Sequence, residues 1–82
     1  MSVANEIKAI RQKAFLSQGE FAKSLSVSFA TVNRWETGKT IPKMTAMRKI
    51  RSFCDANGIS INELQNALLE AENLKPADKQ SK

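Results

Sequence analysis

A repeated helix-start signal is the feature that most constrains how this chain can fold. Ser17 is followed three residues later by Glu20, and Ser60 by Glu63, which is the spacing of a capping box at a helix N-terminus. Ser28 precedes a third helical pattern as a single capping serine. Apolar residues flank these starts at the spacing of a hydrophobic staple, in the pairs Leu16 and Phe21, Val27 and Val32, and Ile59 and Leu64. The sequence therefore predicts short, closely connected helices.

Apolar residues at helical spacing and two turn signals divide the chain into five predicted helices. Gly38 and the Asn57-Gly58 pair are expected to end the third and fourth of them. The predicted ranges are 3–14, Gln18–Leu25, Phe29–Thr37, Lys43–Ala56 and a fifth helix that begins after Ser60. Because no strand pattern appears in the sequence, the predicted fold class is all-α.

A single core is expected, because a chain of 82 residues can build one hydrophobic cluster and not two. The predicted inward residues of the five helices are Val3, Ile7, Ile10 and Ala14; Phe21, Ala22 and Leu25; Val32 and Trp35; Met44, Met47, Ile50, Phe53 and Cys54; and Leu64, Ala67, Leu68 and Ala71. The segment after Leu74 has nothing to bury. We therefore predict one domain at residues 1–74 and a disordered polar tail at 75–82.

The residue inventory excludes several classes of protein. One cysteine and no histidine argue against a disulfide framework and a structural zinc site. Without a glycine-rich phosphate loop or paired carboxylates, we expect no enzyme activity, no catalytic residue, no metal and no cofactor. Apolar runs of at most three residues and the lack of a secretion signal predict a reduced, cytoplasmic protein with no membrane partner.

Charge is distributed unevenly along the chain. Residues 1–54 contain ten basic and three acidic side chains, a net charge of +7, whereas residues 55–82 carry −2. A positive charge concentrated in residues 1–54 is typical of a protein that binds a polyanion on one side. The arginines and lysine at 48, 49 and 51 are interpreted as the solvated face of the fourth helix rather than a second binding surface.

The third predicted helix has an unusual outward face. Val32 and Trp35 are expected to attach it to the core, which leaves positions 29, 30, 33, 34 and 37 facing outward. Asn33 and Arg34 can read base edges in a DNA major groove, and Phe29 can meet a thymine methyl group. An alternative for Phe29 is that it folds back onto the second helix as core. The short connection around Ser26 favours a helix-turn-helix arrangement of the second and third helices.

The stretch "LSQGEFAKSLSVSFATVNRWETGKTIP" resembles the helix-turn-helix of the lambda-repressor/Cro family of bacterial and phage regulators. The similarity extends over residues 4–72 and includes "GISINEL" near the start of the fifth helix. It implies a five-helix, lambda-repressor-like DNA-binding domain whose helix-turn-helix is formed by helices 2 and 3. In that family the third helix lies in the major groove.

The resemblance also implies roles for individual residues. Arg11 and Glu36 occupy the positions of a partly buried ion pair between the first and third helices. Gln18 would contact a phosphate at the start of the second helix, and residues beyond the third helix would hold the DNA backbone. The candidate DNA-binding residues are Gln18, Ser28, Phe29, Ala30, Thr31, Asn33, Arg34, Thr37, Lys39, Thr40 and Lys43.

The favoured hypothesis is a sequence-specific regulator of transcription, a repressor that binds double-stranded DNA. The resemblance implies a homodimer on a two-fold operator, formed through the fifth helix. The competing hypothesis is an antitoxin-like protein-interaction module that binds a partner protein. Binding of structured RNA is a weaker alternative, because a single exposed Phe29 falls short of the aromatic platform on which RNA bases stack.

Overall fold

The computed structural model describes residues 2–73, and within them the chain forms five helices and no strand. The helices are α1 (Val3–Lys13), α2 (Gln18–Leu25), α3 (Phe29–Glu36), α4 (Met44–Asn57) and α5 (Asn62–Asn73). The all-α prediction is confirmed, with helix ends within one residue of the predicted ranges for α1 to α4. None of the helices in this part of the chain is long and apolar enough to cross a bilayer. The predicted tail at 75–82 and the domain boundary at 74 lie outside the described residues.

Serine side chains begin α2 and α3 as the sequence predicts. Ser17 Oγ accepts from Glu20 N at 3.1 Å, and Glu20 Oε1 accepts from Ser17 N at 2.8 Å, which completes the capping box. The hydrogen bond from the Ser17 backbone lowers the pKa of Glu20. Ser28 Oγ accepts from Thr31 N at 3.1 Å at the start of α3. These contacts satisfy backbone N–H groups that the first helical turn leaves unpaired.

The capping box predicted at Ser60 and Glu63 is wrong. Ser60 Oγ accepts instead from Asn62 N at 3.2 Å, and α5 begins at Asn62. Ile59 and Ile61 both pack against the core. The Ser60 hydroxyl closes a local turn two residues ahead instead of capping the backbone N–H of Glu63, three residues ahead.

One hydrophobic core joins all five helices. Its buried members are Ile7, Ile10, Phe21, Ala22, Leu25, Val32, Trp35, Ile50, Cys54 and Leu64. Phe21 and Phe53 meet edge to face with ring centroids 5.1 Å apart. The prediction that Met44 faces inward is wrong, because its side chain is 72% exposed in the first turn of α4. The buried residues of α4 lie in later turns, where the helix packs against α2.

The turn between α2 and α3 is short and well defined. Ser26 adopts a left-handed conformation with φ of 57°, which ends α2. Val27 packs against the core, and Ser28 begins α3. α3 is then attached to the core by Val32 and Trp35, which are 0% and 4% exposed. α2 and α3 therefore form a helix-turn-helix, whose second helix has one buried side and one free side.

Phe15, in the turn between α1 and α2, is strained and exposed. Its φ is +60°, and 92% of its surface is accessible to solvent. We expect Phe15→Gly to raise the free energy of unfolding by about 1 kcal/mol, because glycine adopts this conformation without a Cβ clash and little burial is lost. Urea unfolding measures the change. Phe15→Ala is the control, since it keeps the Cβ and should gain little; an equal gain for alanine would assign the effect to the exposed ring instead.

Candidate nucleic-acid interface

The outward face of α3 carries the residues selected from the sequence. Phe29 is 56% exposed, so it lies outside the core. Ala30, Arg34 and Thr37 are exposed as well, and Asn33 is half-buried. This face combines an aromatic ring, a methyl group, an amide and a guanidinium. These groups include donors, acceptors and apolar surface of the kind that base edges require.

Three hydroxyl groups near this face are bonded within α3. Ser28 Oγ and Thr31 Oγ1 are 2.8 Å apart, and Thr37 Oγ1 donates to Asn33 O at 2.8 Å. Thr37 Oγ1 keeps its acceptor capacity in this arrangement, whereas Ser28 Oγ already accepts from Thr31 N. The local role of these residues is to order the two ends of α3.

The loop after α3 places further cations beside it. Gly38 adopts a φ of +80°, and Lys39 N donates to Arg34 O at 2.9 Å, so the chain turns sharply past the end of the helix. Lys39, Thr40 and Lys43 are all exposed.

A groove of about 430 Å³ runs between α3 and the start of α4. Arg34 and Lys43 line it together with Lys49, over a floor that includes Trp35 and Ile41. The sequence predicts Lys49 only as part of the solvated face of α4. Its place beside Arg34 depends on how α4 packs on the helix-turn-helix, a tertiary relationship that periodicity does not contain.

A buried ion pair ties α1 to α3, as the resemblance implied. Arg11 Nε donates to Glu36 Oε2 at 2.8 Å, and Arg11 Nη2 donates to Glu36 Oε1 at 2.9 Å. The two side chains are 15% and 1% exposed. Arg11 Nη1 also donates to Leu16 O at 2.9 Å, and hydrogen bonding to Glu36 raises the pKa of Arg11. The glutamate of α3 is thereby neutralised beneath the exposed face.

Gln18 extends this pair to the outward face. Its Nε2 donates to Glu36 Oε1 at 3.1 Å, while its Oε1 accepts from Asn33 Nδ2 at 3.4 Å. The structure thus brings together two candidate residues, one at the start of α2 and one on α3. Both residues are candidates from the sequence, but nothing in the sequence predicts that they meet.

A family model described as Helix-turn-helix matches residues 7–64 of the chain. The matched span runs from α1 into the start of α5 and contains all of the candidate DNA-binding residues. We found no significant match among curated proteins or among solved structures.

Proposed function

The chain belongs to the helix-turn-helix family of lambda-repressor/Cro type, whose members bind DNA and regulate transcription, and from this premise we propose that it is a repressor reading a specific duplex sequence. The observation that carries the proposal is the outward face of α3. An exposed guanidinium, a half-buried amide and an exposed aromatic ring stand there on a helix anchored by Val32 and Trp35.

α3 enters the major groove and supplies the base contacts. Arg34 donates two hydrogen bonds to O6 and N7 of a guanine, which is the commonest specific contact of arginine. Asn33 contributes an amide contact to a second base. Phe29 and Ala30 present apolar surface to thymine methyl groups. Sequence preference arises from these four side chains.

Residues around α3 hold the phosphate backbone and set the register. Lys39 and Lys43 neutralise phosphates beyond the helix, and Thr40 donates a hydrogen bond between them. Gln18 contacts a phosphate at the N-terminus of α2, where backbone N–H groups favour anions. Ser28, Thr31 and Thr37 complete the contacts at the two ends of α3, where a hydroxyl proton turns from its partner within the protein to a phosphate oxygen.

The mechanism is occlusion of promoter DNA in the cytoplasm. The protein performs no chemistry and needs no cofactor, because a bound repressor acts by excluding other proteins from the same duplex. Affinity comes mainly from phosphate neutralisation and specificity from base contacts.

An apolar strip formed by α4, α5 and the end of the turn between them provides the dimer contact. We define it as Met44, Met47, Ile61, Leu68 and Leu69, of which Met44 is 72% and Leu69 58% exposed. Arg48 and Arg51 of α4 and Gln65 of α5 lie beside the strip. A second copy related by a two-fold axis covers the strip. In the competing antitoxin-like hypothesis, a different protein covers the same surface.

Selection of bound duplexes from random sequence tests the proposal. We expect enrichment of a two-fold symmetric site whose half-sites are separated by about 10 base pairs, one helical turn. Enrichment of a single asymmetric half-site would contradict the proposed homodimer. If no duplex is retained above the non-specific level, the repressor proposal is wrong and the protein-interaction module is favoured.

Arg34→Ala is expected to weaken binding to the selected site by about 1–3 kcal/mol and to relax preference at one base position. The reason is the loss of two hydrogen bonds to a single base edge. Binding to the selected duplex and to its single-base variants measures both effects. Lys8→Ala, which removes a charge from an exposed position of α1, is the control and should change neither. A uniform loss over all sequences would mean that Arg34 contacts only phosphate.

A further inference from the structure

A chain of hydrogen bonds leads from the buried ion pair to the half-buried amide of Asn33 on α3. Glu36 accepts from two nitrogens of Arg11 and from Gln18 Nε2. A carboxylate held by an arginine can only accept hydrogen bonds. The end of Gln18 that faces Glu36 must therefore be its nitrogen.

This charge sets the orientation of both amides. With its nitrogen directed to Glu36, Gln18 turns its carbonyl oxygen toward Asn33, whose Nδ2 lies 3.4 Å away. The opposite orientation of Asn33 would bring two carbonyl oxygens together. Donors and acceptors therefore alternate in one order from Arg11 to Asn33.

Asn33 then presents a defined set of groups to the outside. One Nδ2 hydrogen is directed to Gln18, which leaves the Oδ1 acceptor and the second Nδ2 hydrogen on a half-buried side chain. The major-groove edge of adenine carries the N6 donor beside the N7 acceptor, the complement of that pair. We infer that Asn33 reads an adenine and that Gln18 is the positioning residue that fixes its amide for this base. The inference rests on the proposed DNA-binding function.

The other bases fit this orientation poorly. Guanine offers two acceptors, O6 and N7, so its O6 would face the Asn33 carbonyl oxygen. Thymine offers one acceptor and a methyl group, and cytosine offers a donor alone. Once freed from Gln18, the amide can rotate and turn its nitrogen toward an acceptor. Gln18 thus favours adenine at a base that Gln18 itself does not touch.

Four proteins test this assignment: the wild type, Gln18→Met, Asn33→Ala and the double variant. Each is measured for binding to the selected duplex and to its single-base variants. The position read by Asn33 is the one whose preference Asn33→Ala abolishes. We expect the wild type to prefer adenine there by roughly tenfold to a hundredfold. Gln18→Met should lose most of that preference and leave the other positions unchanged.

The double variant separates positioning from general damage. If Gln18 acts through Asn33, adding Gln18→Met to Asn33→Ala changes the preference at no position. Gln12→Met is the matched control at an exposed glutamine of α1 and should behave as the wild type. Thermal unfolding of each variant confirms that it is folded at the temperature of measurement.

Three outcomes overturn the inference. They are a wild-type preference for a base other than adenine at the Asn33 position, an unchanged preference in Gln18→Met, and no position that responds to Asn33→Ala. In each of these cases the protein still selects a specific duplex, so the proposed function stands. If no specific duplex is selected, the proposed function fails first and this inference falls with it.

Discussion

Arg11→Met is expected to lower the free energy of unfolding by about 3–5 kcal/mol, because it leaves a buried carboxylate without its charged partner. Glu36 is 1% exposed and would keep only the hydrogen bond from Gln18. The free energy of unfolding of a native protein is about 5–15 kcal/mol, so this single change removes a large part of it. Chemical unfolding monitored by circular dichroism measures the loss.

Substitution of the other partner, Glu36, should lower the free energy of unfolding by less. Glu36→Leu leaves Arg11, which is 15% exposed and still donates to Leu16 O. The double variant Arg11→Met with Glu36→Leu removes both charges and should lose clearly less than the sum of the single losses. Strictly additive losses would mean that the two side chains do not interact in solution.

A surface pair provides the control for this cycle. Lys13 Nζ and Glu63 Oε1 are 3.9 Å apart, with side chains 52% and 57% exposed. Exposed pairs of this kind contribute about 0–1 kcal/mol, so Lys13→Met should change stability little. Comparing the two substitutions to methionine separates the effect of burial from that of removing a positive charge.

Features set by neighbouring residues were predictable from the sequence. The bounds of α2 follow from the capping box at Ser17 and the apolar spacing of Phe21, Ala22 and Leu25, and the structure reproduces them. The buried side of α3 follows from Val32 and Trp35 in the same way. These signals act within one or two turns of helix, where periodicity and capping determine the structure.

Features set by tertiary packing were not predictable in the same way. Met44 continues the apolar spacing of α4, but the first turn of that helix carries it to an exposed position. Ser60 and Glu63 match the capping-box pattern, yet Ser60 Oγ accepts from Asn62 N in a local turn and α5 begins at Asn62. The contact between Gln18 and Asn33 joins residues 15 positions apart, and it depends on the crossing of α2 and α3.

Affinity for the selected duplex is expected to fall steeply as salt rises. Lys39 and Lys43 of each copy are the positively charged residues among the proposed phosphate contacts, which makes four charges per dimer. The logarithm of the binding constant should then fall with the logarithm of salt concentration with a slope of about −3.6. Between about 50 and 200 mM salt, this slope corresponds to a roughly hundredfold loss of affinity. A protein-interaction module would show only sequence-independent binding to DNA, with no selected duplex whose affinity could be measured.

The slope of the salt dependence also identifies which lysines contact phosphate. Lys39→Ala and Lys43→Ala should each flatten it by roughly one unit per protein copy and leave base preference intact, because a phosphate contact carries no sequence information. Arg34→Ala should alter base preference instead. Lys8→Ala is the control for a lost charge outside the proposed interface. If Lys8→Ala flattens the slope as much as Lys39→Ala does, the dependence reflects the net charge of the protein, and the placement of phosphates beside the end of α3 is wrong.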